Sequence, residues 1–500
     1  MRKQVAIPIL LALLIVFPLL AGCAGGSGQP DTGTASVTQA YSPSSDVQAQ
    51  SSGDVTAEVS TELSALGLLG ERDFGKDKIV FYSRSYNGEW SSDLLYDTIN
   101  GEILQDAIAI RNDRLQSQYN VVFEEKKSGE QSFATTAKKE ITAGDPDFDV
   151  LYVSIRDAAS LATDGCLIEL GSVPHLSLDE SRWSPFLTKQ MTIAGKKYYA
   201  TGEITTIDDI SIRAVFFNKT MLNSLEGNLD LYQLVDDNGW TLEELFRLVN
   251  LAYVDVGEDG KIELGTDSIG LLAEGTLGYQ LLMGTGEKIV GKNADDLPYI
   301  SITESRPIDV VDLLTSKIAG NASVQTGSSV YVPFAGGNIL FALVTIARER
   351  NLQSYDIDFG IVPYPRYNAD QEKYHCYSDS YCPNAICFPF NVDSARLEAA
   401  GFICEAMAVE SVNAVTPSFY DLCMKTRFSK DVRMGDMLDI IRDDYMIDLA
   451  DVYLSVWSLR TPVTNAISEG KPLSSLVKST FSTGQKKIDR TVDAIRAIDH

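Results

Sequence analysis

Two adjacent carboxylates, Asp208 and Asp209, are the residues whose types and spacing come nearest to catalysis. Hydrolysis of a glycoside needs two carboxyl groups held about 5 to 10 Å apart. Neighbouring side chains on an extended segment point in different directions, so this pair suits a turn or the acceptance of a ligand hydroxyl. The sequence also lacks the GxSxG and HExxH motifs, and it favours a protein that is not an enzyme.

Residues 255–267 form an acidic stretch that resembles a calcium-binding loop in part. An EF-hand loop has Asp or Asn at its third position and Glu at its twelfth, where this chain has Gly257 and Thr266. We interpret the stretch as a degenerate turn, and its binding of calcium stays an open question. No metal and no other cofactor is predicted.

Length and charge limit the class of protein. A chain of 500 residues exceeds what one hydrophobic core usually organises, so at least two globular units are expected. The net charge of −27 argues against nucleic acid or an anionic membrane surface as a partner, because both attract basic patches. The same acidity helps to keep an exported protein soluble.

The chain begins with Arg2 and Lys3, followed by an almost unbroken apolar run over 5–20. Such a run is short for a membrane span and typical of an export signal, with a plain transmembrane anchor as the alternative. It ends in Leu-Ala-Gly-Cys, which resembles the lipobox of bacterial lipoproteins. That resemblance implies cleavage before Cys23 and diacylglycerol on its sulfur, so residues 1–22 are the predicted lipoprotein signal peptide.

Residues 23–77 are predicted to form a flexible tether. The first part of this range is rich in Ser, Gly and Thr and has too few large apolar residues to repay its ordering entropy. No second long apolar run follows in the sequence. We therefore expect contact with the membrane through the lipid anchor only.

The remaining cysteines lack the CxxC spacing that is typical of a zinc site. Export permits disulfides, and Cys376 could pair locally with Cys382 or Cys387. Their spread along the chain favours small apolar core residues, and the pairing stays open. The six cysteines after Cys23 are Cys166, Cys376, Cys382, Cys387, Cys404 and Cys423.

Strands and helices alternate from residue 78 onward. Apolar patterns predict strands at 78–83, 119–124 and 147–153, with helices over 103–115 and 134–143 between them. This alternation indicates a parallel sheet covered by helices. Ligands of such sheets bind beyond the carboxyl ends of the strands.

A polar, acidic interval leads into residues 212–217, which predict a largely buried strand crossing between two α/β bodies. Further strands are predicted at 330–334, 358–365 and 385–390. A helix is predicted over 339–350, and the C-terminal part is mostly helical.

Five segments of the sequence follow one another in an order that is characteristic when taken together. They are DFDVLYVS (147–154), GKKYYA (195–200), FFNKTML (216–222), GWTLEEL (239–245) and FGIVPYP (359–365). Behind a lipobox and a polar tether, this order resembles the family 1 extracellular solute-binding lipoproteins of bacterial ABC importers, to which the maltose-binding protein is a distant relative.

The resemblance implies an α/β, two-lobed periplasmic-binding-protein-like fold of type II, with mixed sheets flanked by helices and a hinge between the lobes. Lobe I would comprise 78–212 and 332–378, and lobe II 218–331 and 381–500. The hinge crossings would lie near 213–217, 331–334 and 378–382.

The resemblance also implies a function. A membrane-anchored monomer, facing the extracellular side or the periplasm, would capture a sugar or oligosaccharide between its lobes and deliver it to ABC permease subunits. The alternatives are a surface-anchored polysaccharide hydrolase, or the same fold binding a peptide or polyamine, which an acidic cleft would favour.

Candidate ligand contacts are aromatic rings, which suit the apolar faces of sugars, and polar groups, which pair with hydroxyls. Gly336 is expected to begin the helix after the return crossing, where backbone amides could receive an anion. By position, the candidates are Tyr82, Trp90, Ser154, Asp157, Asp208, Asp209, Ser211, Tyr279, Gly336, Tyr381 and Trp457.

Overall fold

A computed structural model describes residues 66–85, 90, 93–129, 132–144, 146–419 and 431–499. All of them belong to one compact unit, Glu62–His500. The predicted signal peptide, Cys23 and most of the predicted tether lie outside the described residues. Within the described ranges, no helix is both long enough and apolar enough to span a membrane.

The strands belong to two larger sheets and one hairpin. In chain order they are β1 (Lys78–Arg84), β2 (Val122–Ser128), β3 (Val150–Ser154), β4 (Ile212–Asn218), β5 (Ile269–Ala273), β6 (Val290–Lys292), β7 (Pro298–Ile300), β8 (Val324–Thr326), β9 (Ile339–Thr345), β10 (Phe359–Val362), β11 (Cys376–Ser378), β12 (Asn384–Cys387) and β13 (Tyr445–Met446).

The helices cover the faces of the two larger sheets and form most of the C-terminal part. They are α1 (Ile103–Tyr119), α2 (Phe133–Ala143), α3 (Ile155–Thr163), α4 (Pro185–Met191), α5 (Ile207–Ser211), α6 (Lys219–Leu225), α7 (Leu231–Asp236), α8 (Leu242–Leu251), α9 (Leu277–Gly284), α10 (Ser305–Ile318), α11 (Tyr331–Ala335), α12 (Arg348–Leu352), α13 (Ser394–Pro417), α14 (Val432–Asp443), α15 (Leu449–Val452), α16 (Leu454–Trp457), α17 (Arg460–Glu469), α18 (Ser474–Leu476) and α19 (Ser482–Arg496).

The first sheet has the order β12-β3-β1-β2. Strand β1 pairs in parallel with both β2 and β3, as the alternation of strands and helices predicts. Strand β12 closes the sheet antiparallel to β3. The carboxyl ends of β1 and β3 therefore lie side by side at one edge of the sheet, beside the start of β12.

The second sheet has the order β13-β11-β4-β9-β5-β8, with β10 also paired to β4. All seven residues of β4 are buried, which confirms the buried strand predicted at 212–217. One continuous core cluster includes Leu151 and Val153 of the first sheet and Phe216 and Phe217 of the second. The two sheets are thus joined by packing as well as by the chain.

Strand pairing differs from the predicted division into lobes. Strands β9, β10 and β11, predicted in lobe I within 332–378, each pair directly with β4 in the second sheet. Strand β12, predicted in lobe II, joins the first sheet, and α13 packs on α1 there. An apolar strand pattern reports burial but not the partner strand, which is why the sequence did not reveal this exchange.

Two elements around the return crossing were predicted wrongly. Residues 330–334, predicted as a strand, lie mainly in α11, and the predicted helix over 339–350 is β9 followed by the short α12. Gly336 consequently ends α11 and does not begin a helix. The run ILFALVT of β9 is apolar throughout, and such a run fits a buried strand and a buried helix equally well.

Candidate functional site

A short loop, 379–382, leads from β11 of the second sheet towards β12 of the first. Both the backbone amides and the backbone carbonyl oxygens of Tyr381 and Cys382 are hydrogen-bonded to charged side chains. Asp379 Oδ1 accepts from the amides of Tyr381 (2.9 Å) and Cys382 (3.0 Å). Arg84, the last residue of β1, donates to the carbonyl oxygens of Tyr381 (2.6 Å) and Cys382. The first sheet is therefore hydrogen-bonded directly to residues 379–382, which we call the crossing loop.

Asp451 holds the same loop from the other side. Asp448 caps α15, and this helix carries Asp451 into a fully buried position. The Asp451 carboxylate accepts from the Ser380 amide at 2.6 Å and from Arg156 Nη2 at 3.3 Å, and it also pairs with Arg460. Arg156 lies in the first turn of α3, after β3, and Arg460 begins α17. The Asp451 carboxylate thus connects the crossing loop to α3, which follows the first sheet, and to α17.

Arg213 adds a third set of charges from within β4. Its Nη2 lies 2.7 Å from Glu274, directly after β5, and 3.3 Å from Asp379. Burial opposes the charge of Arg213, but the carboxylates of Asp379 and Glu274 outweigh that effect and raise its pKa. Burial likewise opposes ionised Asp379, yet Arg213 and two loop amides lower its pKa. Both groups are therefore charged at neutral pH.

We call these residues the crossing cluster. Its members are charged, they come from both sheets and from the crossing loop, and they surround 379–382. They are Arg84, Arg156, Arg213, Glu274, Asp379, Asp451 and Arg460.

Two of the predicted aromatic contacts, Trp90 and Tyr381, lie at this cluster beside the loop, and the buried ring of a third, Tyr279, has the guanidinium carbon of Arg460 5.8 Å from its centroid. The half-buried ring of Tyr381 has the guanidinium carbon of Arg84 5.4 Å from its centroid and that of Arg156 at 5.6 Å. Trp90 forms a small apolar cluster with Ile207 and Cys382, against which Tyr381 also packs. The structure thus brings Trp90 and Tyr381 together with the charged groups.

Asp208 and Asp209 line a neighbouring cavity of about 430 Å³. Arg442 of α14 donates to Asp209 at 3.0 Å and to Glu203 at 2.8 Å. Burial raises the pKa of Asp209 to about 6, although Arg442 opposes the shift. Burial also raises the pKa of Asp208 well above its usual value, and the charges of Asp209 and Glu203 add to this. Asp209 is therefore buried and ion-paired with Arg442, whereas Asp208 is buried beside it and accepts from the Thr201 hydroxyl at 3.2 Å.

The other polar candidates serve local structure. Ser211 Oγ donates to the Asp208 carbonyl at 2.7 Å and lies 2.8 Å from Ser378 Oγ, so it links two crossing segments. Ser154 caps α3 by accepting from the Asp157 amide. These contacts account for Ser154, Asp157 and Ser211 without a ligand.

Three predicted aromatic contacts are core residues. The ring of Tyr82 packs against Phe133 and Phe148, with centroids 4.6 and 4.8 Å away. Tyr279 is fully buried against Tyr377. Trp457 is also buried, and its Nε1 donates to Thr491 Oγ1 at 3.0 Å. An aromatic residue near a strand end has the same sequence pattern whether it faces a ligand or the core, so these corrections needed the fold.

The acidic stretch 255–267 uses its carboxylates to hold its own backbone. Asp255 accepts from the Gly260 amide, and Asp267 accepts from the amides of Val256 and Glu263. Among the described residues, no group of three or more His, Cys, Asp and Glu side chains could hold a metal ion.

The described cysteines are buried and free, which agrees with their interpretation as small core residues. Burial raises the pKa of Cys376 to about 12, so its thiol is not reactive at neutral pH. Cys423 lies outside the described residues.

Sequence reasoning missed most of the crossing cluster. Arg213 did carry a signal, because a charged residue inside a buried apolar strand requires buried partners. Arg84, Arg156, Asp451 and Arg460 carry no comparable local signal. The partners of Arg84 and Arg156 are distant in the chain, since Arg84 and Tyr381 are 297 positions apart and Arg156 and Asp451 are 295 apart, while Arg460 and Asp451 are nine positions apart.

The two sheets, the crossing segments and the polar cluster between them define a two-lobed, periplasmic-binding-protein-like α/β fold. The sequence matches no protein-family model and no curated protein sequence. The fold is nevertheless found in solved structures that the chain matches over most of its length.

Three such structures are similar to this chain. They are UgpB from Mycobacterium tuberculosis in complex with glycerophosphocholine (15% identity, 83% of this chain and 98% of that chain, TM-score 0.53), a cyclo/maltodextrin-binding protein complexed with maltotetraose (12%, 85% and 99%, 0.52), and the maltose/maltodextrin-binding domain MalE from Bdellovibrio bacteriovorus bound to maltotriose (13%, 83% and 100%, 0.50). At these identities the likeness establishes the fold.

The raised pKa of Asp208 predicts a pH-dependent effect of its replacement. Because folding raises this pKa, the folded chain retains a proton that the unfolded chain releases above about pH 4, and stability falls as the pH rises beyond that point. Asp208→Asn removes this cost. We expect its unfolding temperature to exceed that of the parent by a few degrees at pH 7.5 and to match it at pH 4.

Thermal unfolding followed by circular dichroism at both pH values measures the effect. The control is Asp179→Asn, whose side chain is 99% exposed, and its curves should follow the parent at each pH. A lower unfolding temperature for Asp208→Asn at pH 7.5 would contradict the cost assigned to the raised pKa of Asp208.

Proposed function

We propose that this chain is a solute-binding protein that captures a sugar or oligosaccharide between its two lobes and delivers it to an ABC importer. The observation that carries the proposal is the crossing cluster. It gathers hydrogen-bonding groups from the carboxyl ends of β1 and β5, from the turn after β3 and from the crossing loop. Ligands of α/β sheets bind at such edges.

The chemistry of the cluster suits a hydroxyl-rich solute. Arginine and carboxylate side chains supply donors and acceptors in quantity, and Trp90 and Tyr381 supply aromatic surface beside them. The three similar structures were solved with maltotriose, maltotetraose and glycerophosphocholine, which are all polar solutes with hydroxyl groups. We infer a ligand of the same broad kind for this chain.

Capture would shift the balance between two arrangements of the lobes. Arg84 and Arg156 belong to the first-sheet side, and Arg213, Glu274 and Arg460 to the second. A solute that contacts both sides favours the arrangement in which they are close, by its difference in affinity for the two states. ABC permease subunits would recognise that closed arrangement.

Binding without turnover is the expected result of calorimetry on the mature chain. The panel consists of maltodextrins and other oligosaccharides, with peptides and polyamines for comparison. We expect at least one oligosaccharide to bind with a dissociation constant in the micromolar range or below, which corresponds to about 8 kcal/mol.

Analysis of each mixture by chromatography distinguishes the alternatives. Release of shorter sugars would contradict the proposal and favour a surface-anchored hydrolase. Binding of spermidine or a peptide in place of sugars would keep the fold but change the ligand class, and the carboxylates around the 430 Å³ cavity would then be the first place to examine.

We further propose that the protein is a monomer held on the extracellular or periplasmic face of the membrane by lipid on Cys23. The apolar run, the Leu-Ala-Gly-Cys sequence and the polar tether support this location. Two acyl chains give lasting attachment where one chain would be marginal.

Cys23→Ser removes the sulfur that would carry the lipid. We expect the variant to lose labelling by a radioactive fatty acid and to be released into the medium or left unprocessed. Cys166→Ser, which alters a buried core cysteine, is the matched control and should retain the label. Continued labelling of Cys23→Ser would rule out this anchor.

A further inference from the structure

Three arginines of the crossing cluster carry buried N–H groups that find no acceptor among the described residues. These groups are Nε of Arg84, Nε and Nη1 of Arg213, and Nε of Arg460. Arg84 is fully buried, and Arg213 is only 8% exposed. Buried donors are nearly always paired in folded proteins, and an unpaired donor on a charged group is especially costly. Several unpaired donors in one cluster therefore point to a missing acceptor.

The charges of the cluster point to the same conclusion. It contains four arginines and three carboxylates, and all three carboxylates already contact arginines. Arg84 forms its hydrogen bonds with two carbonyl oxygens and has no ion pair with any described residue. The cluster consequently keeps one positive charge in excess, in a chain whose overall charge is −27.

Glu274 is the member of the cluster that a ligand could replace. Its side chain is 35% exposed, whereas those of Asp379 and Asp451 are 12% and 0% exposed. A half-exposed carboxylate can turn into water at small cost, while a buried one cannot. The Glu274 carboxylate, 2.7 Å from Arg213, thus occupies a position that suits the anionic group of a ligand.

We propose that the solute bound at the crossing cluster is an anionic saccharide, whose carboxylate, sulfate or phosphate group displaces Glu274 from Arg213. This inference rests on the proposed function and narrows its ligand class. The unpaired nitrogens are inaccessible in the present arrangement, so the ligand enters while the lobes are apart. Oxygens of its anionic group then accept from the arginines when the lobes close, because charge-assisted hydrogen bonds of this kind are the strongest available there.

Matched pairs of sugars test the proposal by calorimetry on the mature chain. Digalacturonate is compared with galactobiose, and glucose 6-sulfate and glucose 6-phosphate are each compared with glucose. For at least one pair we expect the anionic member to bind about tenfold more tightly or better. Added salt should reduce this difference, since it screens the charges.

Two variants distinguish this geometry from general attraction of anions. Glu274→Gln removes the competing carboxylate, so it should strengthen binding of the anionic sugar several-fold relative to binding of its neutral partner. Glu226→Gln is the matched control, because Glu226 is 31% exposed and also pairs with an arginine, Arg247. Arg213→Lys keeps the charge but not the planar guanidinium, and it should weaken anionic binding about tenfold.

Each result decides between the two proposals. Equal or tighter binding of the neutral sugars would overturn the anionic ligand while leaving the proposed sugar-binding function intact. Tighter anionic binding that Glu274→Gln fails to strengthen would overturn the role of Arg213 and Glu274. If no anionic sugar binds, this inference fails. The proposed function fails with it only if none of the neutral oligosaccharides of the panel binds either. Circular dichroism of Arg213→Lys and Glu274→Gln checks that both variants are folded.

Discussion

The contact of Asp451 with Ser380, Arg156 and Arg460 is the interaction on which the arrangement of the two sheets depends. A buried ion pair contributes little net stability compared with apolar packing, because both charges lose their hydration. Its effect is on position, since removal of one partner leaves the other charge buried and unpaired. Asp451 therefore holds the crossing loop, α3 and α17 in one geometry.

That geometry connects the fold to the proposed function. Strand β4 supplies Arg213 from the centre of the second sheet, and the end of β1 supplies Arg84 from the centre of the first. The crossing loop runs between them with its amides and carbonyls already bonded. Within each lobe, the sheet that carries these groups fixes their positions, except for that of the half-exposed Glu274. Such preorganisation reduces the entropy that binding must overcome.

The sequence predicts the parts of this fold that depend on local pattern. The strands β1 to β4 follow from apolar runs bounded by polar turns, and their alternation with helices indicates a parallel sheet. The same reasoning fails at β9, where an unbroken apolar run has no period that separates strand from helix. It also misassigns β12, because pairing with β3 is a contact between residues more than two hundred positions apart.

The residues of the candidate site could likewise be predicted from the sequence only in part. Trp90 and Tyr381 could be chosen from residue type and position, whereas Tyr82, Tyr279 and Trp457 could not be distinguished from them without the fold. Arg84 and Arg156 escaped notice because each is hydrogen-bonded to a segment that is distant in the chain. Arg213 is the exception, since a lone charge within a buried strand implies partners even when their identity is unknown.

A double-mutant cycle between Arg156 and Asp451 tests most directly whether the crossing loop is held by charges from both sides. The free energy of unfolding in urea is measured for the parent, Arg156→Ala, Asp451→Ala and the double variant. We expect a coupling energy of about 1–3 kcal/mol, with Asp451→Ala the more destabilising single change. Effects that add to within about 0.5 kcal/mol would contradict it, because the two residues would then act independently.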